Sequence, residues 1–578
     1  MKDLLKQKQL NMFFLWGFLV GAVCFLAVFG FAPLNIFMDG WLMKGELDLK
    51  QHYVGWLAFR YSPWTFPIGM TDKLAYPYSM SILYTDSIPL FAVIFKLLAP
   101  VLPETFHYFG IYILLSFSLN GAFASRLIFR LTSSKCMAFL MSAVFALSYP
   151  MLNRSFYHSS LTAQWLILLG FELWFSGIFY KTLKKQAVVF FAVAFLATSL
   201  HTYFLPMIFG IMCGGILEYW LVKGVTRQNI KGLCIRFLVP AVSFVAGGAF
   251  TLYIFGAFSG PGTAGYYVGD FVANLNSLFN PRGASLLFKE LPLVSGTQGE
   301  GAAYLGAGVM LMLAFAMAGA IAVFLRRGSV KGLIKGHPRR KSLIVMAVIF
   351  VLVSIFPVIS LNDKVIFTVP CPDAVMKLFG IFRSNGRFMW PVMYLVMLAA
   401  CTILAKAQKR LGADNHYLKR GMILITVFAL IFQLIDLLPY MITRHEKFDN
   451  PKERYVTEWD KDERSLQFKH FVSFQKDAIF GMAIAYYAVK NEKTVNRFYF
   501  ARDIDEQIFE NSVKELNKIR EGKADSDTIY VFDRSTYEEC KKYDLHFYAS
   551  EKCIYGVKDK IEGKKELTEA DIAAIRFP

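Results

Sequence analysis

A polar, aromatic segment between the first two long apolar runs holds the residues best suited to chemistry. Its sequence, GELDLKQHYVGWLAFRYSPW, spaces Asp48, His52 and Trp56 so that all three would share one face of a helix. A carboxylate beside an imidazole suits removing a proton from a sugar hydroxyl. A structural alternative remains open, because Asp48 and Gln51 have the spacing of a capping box and could simply start the helix.

A second acidic position comes just before a short apolar run. Asp86 precedes SIPLFAVIFKLLAPVL, residues 87–102, and we predict that it contacts substrate. A helix cap is the stronger alternative, because Asp86 or Ser87 would stand before a helix with Pro89 in its first turn. Further acidic positions in this segment, each typical of a solvated loop charge, are Asp39, Glu46 and Asp72.

Two arginines indicate a site for an anion. In FGIFRSNGRFMWP, Arg383 and Arg387 flank an Asn-Gly turn at the outer end of an apolar run, where the charge bias disfavours cations. Guanidinium groups match phosphate oxygens, and a leaving phosphate gains charge that such a pair would stabilise. Pairing with a carboxylate of the C-terminal tail or with a phospholipid headgroup is the alternative.

Three weaker substrate-binding candidates lie at other helix ends. His158 and Gln164 fall in NRSFYHSSLTAQW, and His201 falls in SLHTYF. Such residues are also common as satisfied interfacial groups. No spacing of cysteine and histidine resembles a zinc site. We therefore assign no metal ligands, and a divalent cation stays open as a cofactor.

The composition sets the class of protein that must position these residues. The 578 residues are 55% hydrophobic and 16% aromatic, with a mean hydropathy of +0.42, and apolar runs of about 20 residues recur. These values exclude a soluble protein and indicate a polytopic α-helical membrane protein. The net charge of +19 comes from short basic loops between apolar runs, so we expect no nucleic-acid partner.

Charge and length together predict the topology. The predicted transmembrane helices, about eleven, are residues 11–34, 106–129, 137–151, 161–180, 187–200, 203–222, 237–258, 304–325, 343–361, 388–405 and 422–441. Their basic loops can all be cytoplasmic only if residues 87–102 lie along the outer interface without crossing. This arrangement predicts a multi-pass protein of the cytoplasmic membrane, with its N-terminus in the cytoplasm and its C-terminal tail outside.

The chain is predicted to have two domains. Residues 1–442 would form the membrane domain, and residues 443–578 an extracytoplasmic soluble α/β domain, with strands at VNRFYFAR and DTIYVFD and a helix at QIFENSVKELNKIR. Three outer segments, 35–105, 259–303 and 362–387, should converge over the bundle. The glycine-rich sequences FSGPGTAGYYVGD and SGTQGEGAAYLGAG indicate mobile outer loops rather than phosphate-binding loops.

The order of these parts resembles the GT-C superfamily of integral-membrane glycosyltransferases. The likeness covers a first span, an acidic outer loop, two interfacial helices (DLKQHYVGWLAFR and SIPLFAVIFKLL), a helical bundle and an exported domain. The segment YTDSIPLFAVIFKLL is similar to the second interfacial helix of lipid-A aminoarabinose and protein mannosyl transferases. YLGAG and FRSNGRFMWP resemble a bacterial family of GT-C-like membrane proteins.

The resemblance implies an enzyme that takes a sugar from a polyprenyl-phosphate carrier and inverts its anomeric centre on an outer acceptor. Asp48 would be the base and the arginines would stabilise the departing phosphate. Many members carry the acidic residue at the very start of the loop, so Asp39 competes with Asp48 for this role. No nucleotide cofactor is expected. The partners implied are membrane lipid, the lipid-linked donor, and an acceptor that is a glycan, a lipid or a protein.

Two other classes remain open. A transporter or lipid-carrier flippase would also have a polytopic bundle, although transporters usually carry ionisable groups near the bilayer midplane. Here the polar groups gather at the outer rim, and Glu172 and Glu218 fall towards cytoplasmic helix ends. The third class is a GT-C-like scaffold without catalysis, which fold alone does not exclude.

Overall fold

The computed structural model of the chain describes residues 2–155, 157–261, 268–327, 338–412, 415–449, 453–461, 463–475, 477–500 and 505–577. The α-helices in chain order are α1 Lys2–Phe29, α2 Gly40–Met43, α3 Leu47–Tyr61, α4 Pro89–Leu97, α5 Phe109–Thr132, α6 Lys135–Ala146, α7 Tyr149–Arg154, α8 Trp165–Phe175, α9 Leu183–Leu200, α10 Phe204–Lys223, α11 Ile230–Ile254, α12 Ala307–Arg327, α13 Pro338–Ile355, α14 Asp373–Gly380, α15 Met389–Gly412, α16 His416–Asp449, α17 Ala478–Lys490, α18 Asp505–Arg520, α19 Arg534–Cys540 and α20 Glu569–Ala574.

The strands are short and fall into three sheets. They are β1 Met70–Ala75, β2 Tyr78–Ser81, β3 Val358–Leu361, β4 Lys364–Thr368, β5 His470–Ser473, β6 Thr494–Val495, β7 Thr528–Phe532, β8 His546–Ala549 and β9 Ile554–Val557. β1 with β2, and β3 with β4, form two-stranded sheets, while the other five form one sheet.

Most of the long helices suit a membrane. Within the described ranges, nine helices are long and apolar enough to cross one, and each coincides with a predicted span. Of the two remaining predicted spans, 161–180 contains α8, and 343–361 overlaps α13, which begins earlier at Pro338. The prediction of a polytopic helical membrane protein with a C-terminal α/β region is therefore confirmed.

The ambiguous run at residues 87–102 is too short to cross. It folds as the nine-residue helix α4 and the 3₁₀ turn Ala99–Val101. Nine helical residues extend about 14 Å, roughly half of a hydrocarbon core. Its placement along the outer interface stays a prediction.

The chain divides into two compact units. The helical unit comprises Met1–Leu34, Phe109–Ala249 and Tyr266–Asn450, and the mixed unit comprises Asn35–Tyr108, Phe250–Gly265 and Pro451–Pro578. The first outer loop thus groups with the C-terminal segment. The expected division at residues 442–443 falls inside α16, which continues to Asp449.

Glycines bring two helices of the helical unit into backbone contact. A Cβ atom added to Gly21 of α1 would lie 2.1 Å from the carbonyl oxygen of Phe117 in α5, and one added to Gly121 would lie 2.4 Å from the carbonyl oxygen of Gly17. Cβ atoms do not approach so closely, so α1 and α5 pack in this way only with small residues at the crossing.

Two of the predicted outer segments converge within the helical unit. The Asn274 amide donates hydrogen bonds to the Ser360 hydroxyl at 3.1 Å and to the Asn362 carbonyl oxygen at 2.8 Å. The Gly386 N–H donates to the Phe271 carbonyl oxygen at 3.0 Å. Residues 358–368, expected to end a span and begin a loop, instead form the antiparallel hairpin β3–β4.

The glycine-rich sequence at residues 295–308 is packed, so its prediction as a mobile loop is wrong. Ala303, Tyr304 and Leu305 are almost fully buried, and a Cβ atom at Gly301 would lie 2.8 Å from the Cα atom of Ala273. Close packing against the backbone at Ala273, rather than freedom of movement, explains why residue 301 is a glycine. In the earlier glycine-rich sequence, residues 262–267 lie outside the described residues.

The mixed unit contains a five-stranded sheet in the order β6-β5-β7-β9-β8. β6 and β7 pair with β5 in parallel, and β9 pairs antiparallel with β7 and β8. The strand predicted at DTIYVFD is β7 and the predicted helix is α18, so both are confirmed. The strand predicted over VNRFYFAR is wrong for most of its length, because β6 ends at Val495 and residues 496–500 are irregular; residues 501–502 lie outside the described residues.

We expect Gly121→Leu to disrupt packing between α1 and α5, since a larger side chain would strike the α1 backbone. The free energy of unfolding should fall by at least about 2 kcal/mol, measured as a lower thermal midpoint of the detergent-solubilised protein. Gly421→Leu in α16 is the matched control, because a Cβ atom there meets nothing within 4 Å. Equal midpoints for the two variants would contradict the contact.

Candidate functional site

The helix predicted to carry the base is present as α3. It begins at Leu47, and its N-cap is Glu46, whose side chain makes no capping hydrogen bond. Asp48 is therefore the second helical residue and not the cap, so the capping-box alternative for it is wrong. Its half-buried carboxylate lies in the first turn, where the partial positive charge of the helix N-terminus stabilises an anion.

His52 lies one turn further along α3 and is fully buried. A ring nitrogen of His52 and a carboxylate oxygen of Asp86 lie within 4.8 Å of each other. Proton transfer between an imidazole and a carboxylate needs a hydrogen bond or one bridging water, and the same two groups are a partial ligand set for a divalent cation. Trp56, on the same helix face, is fixed by donating from its indole N–H to the Phe106 carbonyl oxygen at 2.9 Å.

Asp86 stands in a turn with unusual backbone angles. Asp86 has φ 51° and Ile88 has φ 52°, a conformation that is costly for a β-branched residue. The N-cap of α4 is Ile88, with Pro89 in the first turn, so capping by Asp86 or Ser87 is wrong. The Ser87 hydroxyl instead donates to the His52 carbonyl oxygen at 2.8 Å. This bond ties the turn to α3.

Asp39 is a buried carboxylate that accepts three hydrogen bonds. It accepts hydrogen bonds from the Tyr53 hydroxyl at 3.1 Å, the Tyr486 hydroxyl at 2.6 Å and the Tyr455 N–H at 2.8 Å. Burial, reinforced by the charge of Asp39, raises the pKa of both tyrosine hydroxyls. The tyrosines therefore stay protonated and act as donors, so Asp39 joins the first loop to the C-terminal segment.

A second buried cluster, in the helical unit, centres on Glu300. Arg154 donates to its Oε1 at 3.0 Å, and Arg387 donates to its Oε2 at 2.6 Å. Both arginine side chains are only 6% exposed, and that of Glu300 is 22% exposed. Aromatic rings also hold the guanidinium groups, with Trp390 lying 5.6 Å from that of Arg154 and Tyr203 4.5 Å from that of Arg387.

The charge balance of this cluster favours an ionised carboxylate. Burial raises the pKa of Glu300, but the positive charges of Arg154 and Arg387, with a contribution from His158, outweigh burial and hold that pKa well below its usual range. One carboxylate then neutralises one of two guanidinium groups. The cluster keeps a net charge of about +1, which suits a further anion.

The other predicted residues of the helical unit have separate positions. His201 is the C-cap of α9 and accepts a hydrogen bond from the Tyr203 N–H at 3.2 Å. It therefore lies next to Tyr203, whose ring contacts the guanidinium group of Arg387. Gln164 is buried and donates to the Leu161 carbonyl oxygen at 3.0 Å, which is a local contact. Arg383 lies over the Phe271 ring at 5.4 Å.

Two carboxylates, Glu300 and Asp436, were not predicted from the sequence. The pairing of Arg154 with Glu300 was not predicted either. Asp436 of α16 accepts from the Tyr304 hydroxyl at 2.8 Å and the Ala307 N–H at 2.9 Å. A signal for Glu300 existed, because Arg383 and Arg387 required an anionic partner and Glu300 is the one charge in SGTQGEGAAYLGAG. Asp436 carried the general signal of a carboxylate within an apolar run.

We expect Asp39→Ala to destabilise the mixed unit by about 1–3 kcal/mol, since two buried tyrosine hydroxyls lose their charged acceptor and are left with longer contacts, at 3.4 Å, to the carbonyl oxygens of Thr105 and Tyr455. Thermal unfolding and limited proteolysis of the purified protein would measure this. Asp48→Ala is the matched control and should change stability by less than about 0.5 kcal/mol. An equal loss of stability in both variants would contradict the structural role of Asp39.

For Glu300→Gln we expect a loss of about 3–5 kcal/mol, because two buried guanidinium groups would lose the counter-charge that they share. Glu290→Gln offers a control in the same loop. Glu290 pairs with Arg282 at 2.8 Å but is 47% exposed, so its loss should cost no more than about 1 kcal/mol. If the thermal midpoints of Glu300→Gln and Glu290→Gln fall equally, Glu300 does not stabilise the protein by neutralising the two buried arginines.

Comparison with solved structures finds an oligosaccharyltransferase from Archaeoglobus fulgidus. Its form tethered through a disulfide bond to an acceptor peptide with the NVT sequon shares 12% identity at a TM-score of 0.44, over 97% of this chain and 77% of that chain. Its apo form shares 12% identity at a TM-score of 0.37, over 84% and 64% respectively. No curated protein matches the sequence.

Family models match most of the chain. Residues 463–558 match the one described as the DUF6311 C-terminal domain. Residues 18–438 match the one described as a domain of unknown function, DUF6311. The chain therefore belongs to the DUF6311 family.

Proposed function

We propose that the protein is a glycosyltransferase that moves a sugar from a polyprenyl-phosphate carrier to a hydroxyl of a glycan, lipid or protein acceptor outside the cytoplasmic membrane. Asp48 is the general base and the anomeric centre is inverted. A membrane bundle with polar, partly buried acidic and cationic clusters in its loops supports this class of reaction.

The observation that carries the proposal is the contrast between two carboxylates of the first loop. Asp39 is fully buried and accepts three hydrogen bonds, so an acceptor hydroxyl does not reach it from the surface. Asp48 is half-buried at the start of α3. A general base must reach the proton that it removes, which favours Asp48.

In the proposed reaction, a carboxylate oxygen of Asp48 takes the proton of the acceptor hydroxyl. The hydroxyl oxygen then bonds to the anomeric carbon, while the bond from that carbon to the phosphate oxygen breaks and its electron pair leaves with the carrier phosphate. Attack opposite the leaving group inverts the centre. His52 and Asp86 orient the acceptor or hold a divalent cation, a role that chelation tests directly.

The arginine cluster supplies the charge that a departing phosphate requires. Arg387 is held in place by Tyr203 and Glu300, so it does not reorganise when charge develops. We assign the carrier phosphate to the guanidinium groups of Arg387 and Arg383, with His158, Gln164 and His201 as neighbouring polar contacts. Glu300 then acts as a positioning residue for Arg387.

Ionisable groups within the helices favour catalysis over transport. Glu172 accepts from Arg126 at 2.7 Å and from Arg130 at 2.5 Å, and Glu218 accepts from Arg339 at 2.8 Å. These carboxylates are already matched by arginines. A transporter usually keeps such groups available for its substrate or coupling ion.

We expect transfer of radiolabelled sugar from polyprenyl-phosphate donors in purified membranes to fall at least about a hundredfold with Asp48→Asn, since the amide cannot accept the proton. Glu46→Gln, two residues earlier, is the matched control and should retain activity. Size-exclusion profiles must match those of the wild-type protein. A parallel measurement with a chelator reports whether a divalent cation takes part.

Two outcomes would overturn this assignment. Full activity of Asp48→Asn would show that the base is another residue. The transfer activity of Asp86→Asn and of His52→Ala would then be measured to identify it. Movement of the labelled carrier across sealed vesicles by wild-type protein, without transfer to any acceptor, would replace the transferase with a flippase.

A further inference from the structure

A cavity of about 540 Å³ lies beside α13 and α15 in the helical unit. Its walls are mainly aliphatic and include Ile344, Leu395 and Leu398. Ile344 is 64% exposed, so the cavity opens onto the outer surface of α13. That surface is apolar, with Val348 and Leu352 about half exposed, as expected of a helix that faces lipid.

Three cations line the same cavity, namely Arg339, Arg340 and Lys406. Among the described lining residues there is no carboxylate. The Nε of Arg339 donates to Glu218 at 2.8 Å. Glu218 does not line the cavity, but it neutralises the charge of Arg339. The Nη1 atom of Arg340 is buried and has no hydrogen-bond partner among the described residues.

This combination specifies an amphiphilic anion. A buried guanidinium N–H without an acceptor costs free energy, and two cations with no carboxylate among the described lining residues add to that cost at the edge of an apolar cavity. Inorganic phosphate would neutralise the cations but would leave the aliphatic walls of the cavity uncovered. A neutral lipid would cover the walls but leave the charges unmatched.

We propose that this cavity binds an anionic glycerophospholipid. Its phosphate accepts hydrogen bonds from Arg340 and Lys406, and an acyl chain lies along Leu395 and Leu398. By the positive-inside rule these cations lie at the cytoplasmic end of their helices, so the lipid comes from the inner leaflet. The site is independent of the proposed transferase chemistry, because none of the residues assigned to that reaction lines it.

The experiment compares the thermal midpoint of delipidated, full-length protein during titration with dioleoyl phosphatidylglycerol or dioleoyl phosphatidylcholine. Phosphatidylglycerol should raise the midpoint and phosphatidylcholine should not. In the double variant Arg340→Gln with Lys406→Gln, half-maximal effect should need at least about tenfold more phosphatidylglycerol. Ala399→Trp, which fills the apolar part of the cavity, should have the same effect without changing any charge.

The matched control is the double variant Lys184→Gln with Lys185→Gln, which removes two exposed cations elsewhere and should respond like the wild-type protein. A single cooperative unfolding transition of each variant in phosphatidylcholine confirms that it folds, and each response to phosphatidylglycerol is measured from that variant's own midpoint. Equal responses of wild type and the Arg340, Lys406 variant to phosphatidylglycerol would overturn the site. A rise with inorganic phosphate alone, or with a polyprenyl phosphate but not phosphatidylglycerol, would overturn the assigned occupant.

Discussion

A carboxylate removed from water must be matched by donors or cations, and this requirement organises both units. Asp39 in the mixed unit and Asp436 in the helical unit are fully buried, and each accepts three hydrogen bonds. Glu300 lies between two arginines that are far from it in sequence. Because the partners come from distant segments, each buried charge fixes several loops at once.

The acidic residues of the first loop also differ in burial and in backbone setting. Three hydrogen bonds to the carboxylate of Asp39 join the first loop to the C-terminal segment. Asp48 has an intermediate exposure and follows a weak cap, while Asp86 stands in a turn whose backbone angles are unfavourable. Strain and incomplete burial of this kind persist where the surrounding fold enforces them, and they cluster at functional sites. The acidic residues of one loop thus differ in burial and in backbone strain.

Hydrophobic spacing along the sequence predicted the elements that depend mainly on neighbouring residues. Apolar runs located the long helices, the spacing of Asp48, His52 and Trp56 indicated α3, and α18 and β7 followed from their periodicity. Failures came where distant residues decide the outcome. VNRFYFAR has the composition of a strand, but only Val495 at its start pairs with a neighbouring strand, β5. Glu300 was overlooked because its glycine-rich surroundings suggest mobility, whereas those glycines permit close backbone contact.

The partners of Asp39 have a consequence for biosynthesis. Tyr486 follows Asp39 by 447 residues, and a ribosome adding 5–20 residues each second needs roughly 20–90 s to cover that distance. During this interval the first loop has emerged but cannot complete its core, and most of the helices are inserted meanwhile. The nascent loop therefore exposes aromatic surface and the carboxylate of Asp39, whose donors Tyr455 and Tyr486 are not yet synthesised. Truncation of the C-terminal segment thus removes folding information that the first loop requires.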